Sequence, residues 1–308
     1  MKAVVVSLDA ELALGFHDLE RPPQHRVDAG RPAWRWLLDQ LEAHSIPCTW
    51  ALVGHLFLEQ CDGRHADHPS PEGWFDADPG GDRSTAPDWF GSDLIAAIQA
   101  SPVAHEVGTH TFSHVEFGRA DVTESVARAE LERCVDLAAR ADISLDSIVF
   151  PRNSVGHLDV VEEAGLLAYR GASPSRWYDG TPLRSVGKGL SHAVGRSTPP
   201  IVEPTLDQNG LVKIPQSMFL FSMSGTLGRL LGTVRADPIV RMVERGLAAL
   251  ARRDRGILHL WLHPNNLVGE PAFERMEGVF AAIDRYRADH DVPVRTMRGV
   301  AEAARVVA

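Results

Sequence analysis

Short apolar runs alternate along the chain with longer amphipathic stretches. Ala3–Leu8 (AVVVSL) is a continuous apolar run of strand length, the pattern of a strand buried on both faces. Trp34–His44 has helical spacing, Ile46–Val53 (IPCTWALV) predicts a second strand and Ala104–Gly108 a weak third. Asp121 and Glu124 form an Asp-x-x-Glu capping box for a helix to about Ala141. Its Leu131, Cys134, Val135 and Ala138 fall at i, i+3, i+4 and i+7. Ser147–Phe150 reads as a fourth strand, followed by a helix from Asp159–Ala164. Leu166–Tyr169 is a fifth strand and Leu211–Pro215 a sixth. Asp237 and Pro238 suit the N-cap and first position of a helix carrying Ile239, Met242, Val243, Leu247 and Leu250. Gly256–Leu262 is a seventh strand, Phe273–His290 a helix and Val294–Met297 a last strand.

Repeated β-then-α units call for a parallel sheet with helices outside it. Over 308 residues they predict an α/β fold, a distorted (β/α) TIM-like barrel of about seven strands, complete or not, as one domain over 1–308. The exception is Cys61–Ser92, rich in Gly, Pro, Asp and His. A stretch this long between elements is usually functional or disordered. Trp74, Phe75, Trp89 and Phe90 within it predict an ordered, lid-like insertion at about 61–92.

Composition removes several function classes. Lys plus Arg is 31 and Asp plus Glu is 41, a net charge of −10, which disfavours a nucleic-acid surface or docking on anionic lipid. No run is long enough for a stable membrane insertion. Ala3–Leu8 is too short for a secretory leader and meets Asp9, so the expected compartment is the cytoplasm. Cys48, Cys61 and Cys134 are too few for a disulfide framework or a Cys-based zinc knuckle. Fourteen histidines leave His-based metal chemistry open.

The polar residues of interest follow predicted strands: Asp9 and Glu11 the first, His110 and His114 the third, Arg152 and Asn153 the fourth, His263 the seventh. In a TIM-like barrel those strand ends form the active-site face. GTHTFSH sets two histidines four apart. As the first turn of a helix, it would put both imidazoles on one face to share one ion. Glu11 or Asp9 is the natural third ligand, and two His plus one carboxylate leave positions open for water. The segment lacks the Glu of HExxH, so that protease mechanism does not fit. Solvated carboxylates and a chance histidine pair are the competing readings. Arg152 suits an ion pair with a catalytic carboxylate or a substrate anion, and a lone Arg after a strand is more often a structural ion pair. Arg170, Arg176 and Arg184 suit either a phosphate or a solvated surface.

In this order the segments resemble the polysaccharide deacetylase family, also called the NodB-homology or carbohydrate esterase family four fold. Ser7-Leu8-Asp9-Ala10-Glu11 matches its first motif, His110-Thr111-Phe112-Ser113-His114 its second, Phe150-Pro151-Arg152-Asn153 its third, and Leu260 or Leu262 leading into His263-Pro264-Asn265-Asn266 its last. The resemblance implies Asp9 as general base, His110 and His114 as ligands of a divalent metal, Zn2+ by the family's habit, Arg152 as holder of the base, and His263 as general acid. The family's adjacent second Asp is Ala10 here. Glu11 then becomes the carboxylate ligand, since residues 9 and 11 of a strand point to one side. The family's aromatic motif is replaced by Ser175–Asp179, with Trp177 as a wall for the acyl group. Trp89, Asn153 and Asn266 complete the substrate side. The implied reaction removes an acetyl or formyl group from the nitrogen of an amino sugar or related glycan precursor, small or nucleotide- or lipid-linked. The alternatives are a metal-independent amidohydrolase of small amides on the same fold and a non-catalytic carbohydrate binder, for which Ala10 speaks.

Overall fold

The computed structural model describes residues 1–173, 198–222 and 237–306. Its strands are β1 (Lys2–Ala10), β2 (Thr49–Leu52), β3 (Gln60–Cys61), β4 (Gly81–Asp82), β5 (Glu106–Thr109), β6 (Ser147–Ile148), β7 (Ala168–Gly171), β8 (Thr205–Leu206), β9 (Val212–Pro215), β10 (Met218–Phe219), β11 (Gly256–Leu262) and β12 (Val294–Arg295). The helices are α1 (Gln24–Ala43), α2 (Ser92–Ala100), α3 (Glu124–Arg140), α4 (Leu158–Glu163), α5 (Pro238–Ala251), α6 (Glu270–His290) and α7 (Met297–Arg305).

The main sheet runs β10-β11-β1-β2-β5-β6-β7-β9-β8, and every neighbouring pair except β8–β9 is parallel. Residues 212–219 bond β7 through β9 and β11 through β10, so one stretch of chain carries the two ends of the sheet towards each other. The result is the distorted (β/α) barrel that the alternating pattern predicts. β1 lies between β11 and β2 and is buried from Ala3 to Ala10, as its unbroken apolar run requires. The opposite rim is tied by Glu106, which accepts hydrogen bonds from Thr49 Oγ1, Ser147 Oγ and the Arg298 backbone N–H. Among the described residues, no helix is long and apolar enough to cross a membrane.

Several boundaries differ from the sequence expectation. α1 starts at Gln24, ten residues before Trp34, and contains Pro32. Its first turns bury only Val27, Gly30 and Ala33, too sparse a stripe to stand out. The cap of α3 is Thr123, whose hydroxyl accepts from Val126 N, whereas Asp121 is bonded to Arg119. Met297–Arg305 is a helix capped by Thr296, with Met297, Val300 and Ala301 buried beneath the sheet. In the 61–92 stretch, β3 and β4 form a short antiparallel pair and Trp74, Phe75 and Phe90 are buried.

Candidate active site

The parallel strands deliver their C-terminal ends to one place. Asp9 lies near the end of β1 and Glu11 just beyond it, His110 follows β5, and His263 follows β11. Glu11 Oε1 lies 3.2 Å from His110 Nε2, 3.4 Å from His114 Nε2 and 3.3 Å from His263 Nε2. Asp9 Oδ2 is 3.7 Å from His263 Nε2. Glu11 fits because residue 15 is glycine: a Cβ there would come within 2.0 Å of Glu11 Oε2.

The second motif is not a helical turn. Residues 110–116 form a bend in which Thr111 has φ 62° and His114 φ 65°, and a β-branched residue in the left-handed region is strained. The bend is held from outside. Gly54 N and His55 N donate to the Thr111 and Phe112 carbonyls. Buried Glu130 accepts from Ser113 N at 2.8 Å and Ser113 Oγ at 2.6 Å. Trp74 Nε1 donates to the Ser113 carbonyl and hydroxyl. The two imidazoles still meet, ring centroids 5.1 Å apart, through loop geometry rather than helical spacing.

These groups suit a divalent cation. His110 Nδ1 donates to the Val149 carbonyl at 2.6 Å, which leaves the Nε2 lone pair facing Glu11. Both ring nitrogens of buried His114 lack a hydrogen-bond partner, a costly arrangement unless a ligand takes one of them. Glu11, His110 and His114 offer donor atoms within 4.8 Å of one another.

The guanidinium on Asp9 belongs to Arg170, not Arg152. Arg170 Nη1 and Nη2 lie 2.5 and 2.6 Å from the two Asp9 oxygens, its Cζ sits 4.3 Å over the Trp261 ring, and it is 1% exposed. Arg152, with a side chain 39% exposed, pairs instead with Asp18 at 2.6 Å and Glu116 at 2.8 Å. The expectation of a solvated Arg170 is corrected with it. Asn153 Oδ1 is 3.4 Å from Arg170 Nη2. Asn266 Oδ1 accepts from His263 N and His263 Nδ1, each at 3.2 Å, so its oxygen is engaged in aiming His263. Trp89 is half-buried, its ring 6.4 Å from that of His17. Trp177, Arg176 and Arg184 lie outside the described residues.

Sequence reasoning assigns no role to Asn265 and leaves His17 among the unassigned histidines of the same face. Asn265 is buried; its Oδ1 accepts from Arg26 Nη2 at 2.6 Å and its Nδ2 points to Glu11 Oε2 at 3.4 Å. His17 donates from Nδ1 to the Leu14 carbonyl, and its Nε2 has no hydrogen-bond partner. The ring stands 6.4 Å from His114. No local motif gives either residue a role.

The charges are coupled. Burial alone would raise the Asp9 carboxyl, but Arg170 and then His263 hold it below its ordinary value. Burial likewise works against Glu11, yet His263, His110 and His114 hold it well below the usual range. His263 is raised, because Glu11 and then Asp9 outweigh its burial. Buried His110 is lowered, with Glu11 opposing. An ionised carboxylate beside a protonated imidazole is the pairing expected of a base and an acid set apart by their surroundings.

No protein-family profile matches the sequence, and no curated protein matches it at a significant level. Solved structures do match in shape. A protein assigned as a polysaccharide deacetylase from Mycobacterium smegmatis aligns with a TM-score of 0.60 at 18% identity, over 99% of this chain and 91% of its own. One similarly assigned from Pseudomonas aeruginosa PAO1 aligns at 0.57 and 15% identity, over 97% and 89%. The fold is that of the polysaccharide deacetylases. It is not theirs alone: PuuE allantoinase aligns at 0.60 and 14% identity, over 97% and 89%. Within this deacetylase fold the chemistry rests on the site, not on the likeness.

Proposed function

We propose that the protein is a metal-dependent hydrolase that removes an acetyl or formyl group from the nitrogen of an amino sugar or a related glycan precursor, small or nucleotide- or lipid-linked. The observation that carries the reading is the meeting of Glu11, His110 and His114 beside an Asp9–His263 pair locked by Arg170. Glu11, His110 and His114 would hold the divalent cation, zinc by its preference for imidazole and carboxylate, and the ion would lower the pKa of water and polarise the amide carbonyl.

The chain's own residues do the proton work. Asp9, ionised and oriented by two Arg170 hydrogen bonds, takes a proton from the attacking water. His263 keeps its Nδ1 proton on Asn266 and gives its Nε2 proton to the departing amine nitrogen as the C–N bond breaks. The products are the carboxylic acid and the free amine, so one water is consumed. Asn153 and Trp89, and Trp177 from the sequence, are the proposed substrate contacts.

The deciding experiment measures acetate and formate release from a panel of N-acyl amino sugars, free and nucleotide-linked, with and without chelator. Release that chelator abolishes and zinc restores supports the reading. Release untouched by chelator favours a metal-independent hydrolase of small amides on the same fold. Sugar binding without release on any substrate would reduce the protein to a carbohydrate binder.

A further inference from the structure

A second set of metal-type donors lies behind the second motif. His55, Cys61, His65 and Asp78 present ligand atoms all within 4.8 Å of one another. His65 Nε2 is 2.9 Å and His55 Nε2 3.0 Å from the same oxygen, Asp78 Oδ2. Cys61 Sγ is 3.7 Å from both Asp78 oxygens. His55 is fully buried, and His65 and Asp78 nearly so.

Asp78 accepts from His65 Nε2 and Gly80 N, but hydrogen bonding leaves one buried nitrogen of the cluster, His55 Nε2, without a partner. His55 Nδ1 commits its proton to the Trp89 carbonyl at 3.1 Å. A neutral His55 therefore turns a lone pair from Nε2 towards a carboxylate lone pair, and that nitrogen makes no hydrogen bond. Two imidazoles and a thiol converge on one carboxylate, and among the described residues no Lys or Arg pairs with it. A shared cation resolves this. Four ligands around tetrahedral zinc stand about 3.3–3.7 Å apart, so the two histidine nitrogens would draw back slightly from Asp78, now 2.9 and 3.0 Å away, and the wider pairs would close to complete the shell.

The local chain is shaped for such a clip. Gly63 has φ 73°, and a Cβ there would come within 2.7 Å of the Asp78 carbonyl oxygen, so the two ends of the 62–80 loop are pressed together at the donors. Asp62 Oδ1 receives Arg64 N and His65 N, which turns His65 inward. A cavity of about 170 Å³ reaches His65 and is lined by Asp67, Glu132 and Asp136 as well as Arg133, which offers a cation an acidic way in. The rings of His55 and His65 lie 5.9 and 5.8 Å from Phe112, the residue between the two motif histidines.

We propose that His55, Cys61, His65 and Asp78 form a structural zinc site, separate from the catalytic one, that staples the 61–92 insertion to the back of the His110–His114 bend. Three nitrogen and sulfur donors with one carboxylate suit zinc over magnesium or calcium. On binding, Cys61 releases its proton to solvent and ligates as thiolate. With all four protein ligands present the shell is closed, the mark of a structural rather than a catalytic zinc.

The test uses the full chain, with zinc and cobalt as probes. Wild type is expected to hold two zinc ions per chain, His110→Ala/His114→Ala one, and His65→Ala/Asp78→Asn one. Cobalt-loaded wild type should show a near-ultraviolet sulfur-to-cobalt charge-transfer band that Cys61→Ser abolishes. Cys48 and Cys134 belong to no donor cluster among the described residues, so that band reports this site alone, whether or not the catalytic reading holds. A folded His110→Ala/His114→Ala protein that takes up no zinc would overturn the proposal. So would a cobalt spectrum unchanged in Cys61→Ser, which needs no disruptive variant.

Discussion

Arg170 and Asp9 face each other through two hydrogen bonds of 2.5 and 2.6 Å, both side chains buried. The fork also reaches Ser7 Oγ at 3.4 Å and rests on the face of Trp261. It is therefore a fixed part of the barrel interior, and it decides the charge and the aim of the proposed base.

Removing that fork should be costly twice over. Arg170→Met leaves Asp9 buried without its partner, a change worth about 3–5 kcal/mol of stability, and should lower kcat by about 10²-fold or more. Arg152→Ala removes only a half-exposed pairing with Asp18 and Glu116 and should cost much less in kcat. Steady-state kinetics with urea melts of both variants check this. Equal losses of kcat would return the role to Arg152.

The acid and the ligands should separate by metal content. His263→Ala should lose about 10²–10⁴-fold in kcat while keeping zinc at the catalytic site, because Glu11, His110 and His114 remain. His114→Ala should lose both activity and that ion. Elemental analysis of dialysed protein beside the kinetic assay decides between them.

The pH profile should be bell-shaped. On the acid side activity is lost as the metal-ligating groups take protons and release the ion, before Asp9, held below its ordinary 3.8, is itself protonated. In the metal-free chain Glu11 and then Asp9 raise His263 above its ordinary 6.5; in the loaded enzyme activity should fall as pH rises through the titration of this acid. In kcat/KM profiles the alkaline limb should be missing from the residual activity of His263→Ala. Its persistence there would assign the acid elsewhere.

His259 should make the fold acid-sensitive. Burial, then Arg170, pushes it down to about 3 from an ordinary 6.5, and its ring bonds Ser7 Oγ and the Pro215 carbonyl. Below pH 6.5 the unfolded chain binds a proton that the folded one refuses, so this contribution is complete above 6.5 and fades as pH falls towards 3. The slope is at most about 1.4 kcal/mol per pH unit. Urea unfolding on both sides of pH 6.5 should show a shallower dependence for His259→Gln than for wild type; parallel dependences would count against it.

Glu130 should control the second motif from a distance. Glu130→Ala leaves the Ser113 N–H unpaired, about 1–3 kcal/mol, and frees the bend that carries His114. Zinc affinity at the catalytic site should fall by about 10–100-fold, read by competition with a chromogenic chelator. An unchanged affinity would make Glu130 a purely structural residue.

The alternation of apolar runs with amphipathic helices determined the parallel barrel, because strand burial and helix faces are local periodicities. It also determined that Asp9, Glu11, His110, His114 and His263 reach one rim, since each follows a strand and parallel strands end together. Which arginine serves Asp9 was not a local matter. Arg152 and Arg170 both lie at strand ends, and only the curvature of the sheet and the Trp261 face put Arg170 under the carboxylate. The bend at His110–His114 was likewise decided by contacts from Gly54, Trp74 and Glu130, distant in sequence. The histidines of the 61–92 stretch carry no strand-end signal at all; His65 becomes a donor because two loop ends close on Asp78. Periodicity is written residue by residue, whereas the pairing of buried charges depends on which side chains the packed core leaves within reach.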